Sequence, residues 1–138
     1  RNIHLGIDIW TAAGSPILAP LDGKVHSFQD NEGFGNYGPT IILEHQVEGQ
    51  LFYSLYGHLR REDLQSLEAG QVVRAGKSFC RVGPYPENGD WPPHLHFQLI
   101  WDLEGKWGDY PGVAAEKELD FYAQNCPDPC VFLGLNEC

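Results

Sequence analysis

HLHFQLIW, residues 94–101, is the segment on which the fold turns. In an extended strand successive side chains alternate between faces, so His94 and His96 point to one side while Leu95 and Phe97 point to the other. One face of a sheet is therefore expected to be apolar and the other wet, with two imidazoles side by side. Working outward, QVVRAGKSFCRVG (71–83) reads as two short apolar strands around an Ala-Gly turn and loosely echoes APLDGKV (19–25). LFYSLYGHL (51–59) and PTIILEH (39–45) are strands separated by a turn at Glu48-Gly49. Apolar residues at 3, 5, 7 and 9 describe one half-buried strand from Ile3 to Ile9, with His4 and Asp8 as its polar members. Gly14, Pro16, Pro20 and Asp22-Gly23 punctuate two more short strands, near 16–20 and 23–29, with the turn chemistry of a hairpin.

Two segments have helical spacing instead. Leu59, Leu64 and Leu67 predict a short helix over 61–67. Between Val113 and about Gln124, AAEKELDFYAQ is rich in helix formers, with Leu119, Tyr122 and Ala123 on one face, and predicts a C-terminal helix. The expected class is mostly β with antiparallel strands, since turn-separated strands do not make alternating βαβ units. Residues 3–101 form the strand-rich core and 102–138 a helical tail, the whole 1–138 being a single domain, as suits a chain of 138 residues.

Composition agrees and narrows the partners. The 16 Gly and 10 Pro are about a fifth of the chain, against a usual share of about 12%, which suits a turn-rich β protein. A formal net charge of −10 opposes binding to nucleic acid, anionic lipid and acidic wall polymers. No apolar run approaches the roughly 20 residues of a membrane-spanning helix, so no membrane insertion is expected. With no Met and Arg1 first, the chain is expected to be a processed form or a domain excised from a longer protein. Cys80 sits alone in a strand and reads as a buried apolar thiol. Cys126, Cys130 and Cys138 cluster near the end, where one disulfide or reduced thiols is a better reading than a zinc site lacking its fourth ligand.

The chemistry lies with the six His. Alone, a His-x-His pair more often marks two surface histidines than a site. His4 and Asp8, four residues apart, share a face of another strand and read equally as a hydrogen-bonded pair. Joined to one imidazole of the pair, they would supply two nitrogens and a carboxylate, the ligand set of many catalytic zinc sites, with a fourth position open. His58 follows Gly57 at a strand end, a position more often structural, and His26 and His45 read as structural.

Taken in order on this Gly-rich background, HLGID (4–8), YGHL (56–59) and PHLHFQL (93–99) resemble the lysostaphin-type (LytM-like) zinc metalloendopeptidases that cut peptide cross-bridges of peptidoglycan. GSPILAPLDGKV and LEAGQVVRAGKSFCRVG also resemble that family's strand-turn-strand units, so the likeness covers about residues 3–101. It implies a small twisted antiparallel sheet crossed by a groove. It implies Zn²⁺ as cofactor with His4, Asp8 and His96 as ligands, and His58 and His94 as catalytic, non-ligand histidines. The chain has no His-Glu-x-x-His segment, which leaves His58 and His94 to deprotonate the attacking water and stabilise the oxyanion. The expected partner is a peptide or peptidoglycan-like substrate.

The tail DFYAQNCPDPCVFLGL resembles lysostaphin-like domains between a kinase-like domain and a pyridoxal-phosphate aminotransferase in large fusion proteins. That likeness implies a regulatory or small-peptide-processing module in contact with other domains of its parent chain, cytoplasmic in that setting and otherwise periplasmic or secreted. A lipoyl- or biotin-carrier domain, suggested by the repeated strand-turn-strand unit, needs a modifiable Lys at a tight turn, with Lys24 and Lys77 the candidates.

Overall fold

The computed structural model describes residues 2–132. A six-stranded antiparallel sheet dominates it, in the order β2 (Ile7–Trp10), β9 (His94–Ile100), β6 (Gln50–Gly57), β5 (Gly38–Val47), β4 (Gly23–Asn31), β7 (Val72–Val73). Two small antiparallel sheets complete it. One pairs β1 (Asn2–His4) with β10 (Val113–Ala115), the other β3 (Pro16–Leu18) with β8 (Ser78–Arg81). The mostly β, antiparallel expectation holds, with β5 buried along most of its length as a central strand.

The alternation seen in the sequence sorts side chains to two cores, one on each face of the large sheet. Ile41, Leu43, Tyr56, Leu95, Phe97 and Leu99 pack on one face with Cys80, which is a buried free thiol as expected. Ile42, Leu55 and Ile100 pack on the other, with Leu5, Leu103, Tyr110 and Cys126. Burying each such side chain contributes roughly 1.5–3 kcal/mol. The second core is built largely by residues after 101. Asn125 links them to the sheet, its Nδ2 donating to the Asp102 carbonyl and its own carbonyl accepting from Trp101 N–H.

Several sequence expectations are corrected. Ile3 to Ile9 is two strands, broken at Leu5-Gly6, because Leu5 N–H leaves the sheet to bond the Gly112 carbonyl. Leu5 consequently enters the second core and Ile7 the first. The two strand-turn-strand repeats are not separate hairpins. They interlock, β3 pairing with β8 and β4 with β7, so each repeat finds its hydrogen bonds in the other. The helix over 61–67 is one 3-10 turn, Arg61–Leu64, with Leu59 fully buried and Leu64 and Leu67 at the edge of the first core. The C-terminal helix starts later than expected: Val113–Ala115 is a strand, and α1 spans Leu119–Asn125, followed by a turn of helix at Pro129–Phe132. Leu119 and Tyr122 face the second core, but Ala123 is exposed and Asn125 is the buried residue of α1.

His45 is structural, its Nδ1 donating to the Asp22 carbonyl and its Nε2 bonded to Ser54 Oγ. His26 is half-buried against the rings of Tyr53 and Trp107. Lys24 lies inside β4 paired with Glu44, not at a turn tip. Cys126 is a buried free thiol, whereas Cys138 lies outside the described residues. No helix among the described residues is long and apolar enough to cross a membrane.

Candidate active site

Antiparallel register explains why the site residues meet. Asp8 on β2 stands directly opposite His96 on β9, and Trp10 opposite His94. All four face the same side of the large sheet, the side of the second core. The bend at Leu5-Gly6 then swings His4 over Asp8, and its Nε2 lies 3.3 Å from Asp8 Oδ1. His96 Nδ1 lies 3.4 Å from the same oxygen. Gly57 at the end of β6 is opposite His96, so the next residue, His58, arrives beside the pair with its ring centroid 4.4 Å from that of His94. The structure thus brings His4, Asp8, His58, His94 and His96 together in one groove of about 540 Å³.

The imidazole face is not wet, as the sequence suggested. His58, His94 and His96 are buried, because the loop after β4 and residues 109–113 wall the groove over that face. His4 and Asp8 remain partly open to it. Burial works against charge on Asp8, but hydrogen bonds to His4 and His96 outweigh it and hold the carboxyl well below the usual carboxylate range. The Asp8 hydrogen bond correspondingly raises the pKa of His4. His58 is dominated by burial, which pushes it down to about 4 despite a hydrogen bond to the Asn88 carbonyl. Its neutral ring is the stable form at pH 7.

Among the described residues, His4, Asp8 and His96 form a cluster of ligand atoms all within 4.8 Å of one another. Tetrahedral zinc with bonds of about 2.0–2.1 Å sets its ligand atoms about 3.3–3.4 Å apart. The two distances to Asp8 Oδ1 match that spacing. Two imidazole nitrogens and a carboxylate are a donor set suited to zinc, and this His-Asp-His arrangement can bind a metal with one side open to the groove.

In the groove wall and behind it lie residues that the sequence did not single out. Tyr37 packs its ring against His58 and His96. Burial, with Asp109 adding to it, raises the pKa of its phenol well above its usual value. Fully buried Asn88 accepts from His58 Nδ1 through its carbonyl, at 2.8 Å. Trp10 and Trp91, both exposed, lie with ring centroids 4.5 and 5.7 Å from that of His94. Only Gln98 carried a local signal, since its position two residues after His96 puts it on the same face of β9.

The family model for peptidase family M23 matches residues 2–107. The chain belongs to peptidase family M23. It is a member of a family of metallopeptidase hydrolases. The chain is 30% identical over 96 residues to an uncharacterized metalloprotease of Haemophilus influenzae, an alignment covering 70% of the chain and 18% of that protein. It is 26% identical over 129 residues to the L-Ala–D-Glu endopeptidase of Bacillus subtilis, covering 88% of the chain and 37% of that protein. The M23 chain thus spans well under half the length of either relative. Its fold is that of the catalytic domain of lysostaphin from Staphylococcus simulans, with a TM-score of 0.61 at 23% identity over 95% of the chain and 79% of that domain.

Proposed function

We propose that this M23 chain hydrolyses peptide bonds with one zinc ion held by His4, Asp8 and His96, and with His58 and His94 as its proton-transfer groups. The observation that carries this is the convergence of the three donor atoms on one point beside two further imidazoles. Zinc there would act as a Lewis acid on the scissile carbonyl and lower the pKa of water from about 16 toward 7. His58 and His94 each donate Nδ1–H to a main-chain carbonyl, of Asn88 and Pro92, and so turn an Nε2 lone pair toward the groove. Either can take a proton from the attacking water, and the imidazolium so formed can donate to the oxyanion or to the leaving amine. Burial lowers the pKa of His58 to about 4, which keeps its ring neutral and ready to accept. An extended peptide reaches them along the groove.

Peptidoglycan peptides are the substrates suggested by the lysostaphin-like fold and by the endopeptidase relative. A second reading is favoured by charge. The chain carries −10, and Asp30, Glu32 and Asp109 line the groove, which suits an uncharged or cationic peptide better than an anionic wall polymer. On that reading the chain processes small peptides within a longer polypeptide such as the aminotransferase fusion. The test is to incubate the zinc-loaded chain with purified peptidoglycan and with Gly-rich and stem-peptide panels, in parallel with His94→Gln. Cleavage that His94→Gln lowers by about 10²–10⁴ is expected. Soluble peptides cut while peptidoglycan is spared favours the second reading. A fully zinc-loaded chain inert on every substrate overturns both.

A further inference from the structure

The four groove histidines are held in two different ways. His4, His58 and His94 each donate Nδ1–H to a main-chain carbonyl, of Gly6, Asn88 and Pro92, and turn Nε2 the other way, that of His4 onto Asp8. His96 is reversed. Its Nε2 lies 2.8 Å from Gln98 Oε1, while its Nδ1 faces Asp8. The other end of Gln98 fixes which way its amide points. The amide nitrogen is 2.9 Å from the Pro111 carbonyl, which can only accept, so the NH₂ group lies there and Oε1 must accept from His96 Nε2–H. A neutral imidazole protonated on Nε2 has its lone pair on Nδ1.

We propose that Gln98, anchored on the Pro111 carbonyl, is a positioning residue that fixes the ring rotation and tautomer of His96, so that the Nδ1 lone pair converges with the donor atoms of His4 and Asp8. This rests on the zinc site proposed above. Gln98 is fully buried in the middle of β9. A buried amide costs free energy unless its hydrogen bonds are made, so an apolar side chain would serve packing alone at least as well. Pro111 lies beyond residue 107, where the match to the family model ends, so the carbonyl that anchors this amide comes from outside the matched span. The other three histidines depend on backbone, which substitution does not remove. His96 alone is held through a side chain.

The experiment is a zinc titration of the purified chain against a chromophoric chelator, with the unfolding midpoint of each metal-free variant as a check on folding. Gln98→Met keeps the volume and removes the acceptor. It is expected to weaken zinc binding about 10–100-fold, as losses of such outer partners do. Gln98→Glu restores an acceptor facing Nε2 and is expected to recover most of that affinity. Nitrogen-edited NMR of the unsubstituted, metal-free chain should show His96 protonated on Nε2, a readout independent of any variant. Parental zinc affinity in Gln98→Met, or an Nδ1–H tautomer at His96, overturns the proposal. His96→Ala separates it from the reading beneath: if that variant also binds zinc as tightly as the parent, the zinc site itself is wrong. If it loses zinc while Gln98→Met does not, only the positioning role is.

Discussion

His58 combines two costs at one residue. Its backbone is left-handed, with φ of 65°, and its ring is buried. For a residue with a Cβ that backbone costs roughly 1–2 kcal/mol, and it persists because both neighbouring bonds hold it: His58 N–H donates to the Tyr37 carbonyl, and its carbonyl accepts from Gly83 N–H. Asn tolerates this backbone better than most residues, so His58→Asn should cost no more than about 1–2 kcal/mol of stability. Its peptide hydrolysis should nonetheless fall by about 10²–10⁴ with zinc content unchanged, checked by steady-state kinetics beside metal analysis. His45 predicts the behaviour of a buried group outside the site. Burial lowers its pKa from about 6.5, against weaker opposing effects of the Asp22 carbonyl and Glu44. The unfolded chain therefore binds a proton that the native chain refuses. Stability from this residue is whole above about pH 6.5 and is lost as pH falls from there through the lowered value. Urea unfolding between about pH 7 and 5 should show a shallower acid loss in His45→Gln than in the parent, and equal slopes would refute it.

At the scale of elements, the β2–β9 pair positions the site. Gly6 makes that approach possible: a Cβ there would lie 2.5 Å from the Phe97 carbonyl oxygen and 3.0 Å from His96 Nε2. Gly6→Ala must push β2 away from β9, and is expected to destabilise by about 1–3 kcal/mol and to weaken zinc binding together, measured by thermal unfolding and chelator competition. The same pair shows how far the sequence could be read. Period-two alternation placed β9 and both of its imidazoles correctly, because that pattern is local to one strand. It failed at Ile3–Ile9, where the alternation continues across a break caused by a bond to Gly112, far away in sequence. Helix propensity failed in turn at Val113–Ala115, where pairing with β1 outweighs it. His4, Asp8, His58, His94 and His96 were legible from motif and spacing. Tyr37, Asn88 and the wall at 109–113 were not, because they come to the groove from loops whose paths depend on long-range hydrogen bonds. Gln98 was overlooked although the alternation rule placed it on the face of His96.

For the whole molecule, the relevant quantity is the field. A chain of −10 with acidic residues along its groove repels an anionic peptide, and the repulsion is screened over about 10 Å at 0.1 M salt. Raising ionic strength from about 0.05 to 0.3 M should therefore raise kcat/KM on acidic stem peptides and leave it nearly flat on uncharged Gly-rich ones. A decline on the acidic peptides would show that a local basic contact overrides the net charge. The fold itself does not choose between these substrates, since one scaffold serves several peptide bonds by varying its loops.

The central claim is that His4, Asp8 and His96 hold one zinc. Metal analysis of the chain and of His96→Ala, each purified without added zinc and then dialysed against it, tests this most directly. One zinc per parent chain is predicted, lost in His96→Ala while that variant keeps its β-sheet circular dichroism. A parent chain that takes up no zinc, or a folded His96→Ala that still holds a full equivalent, would contradict it.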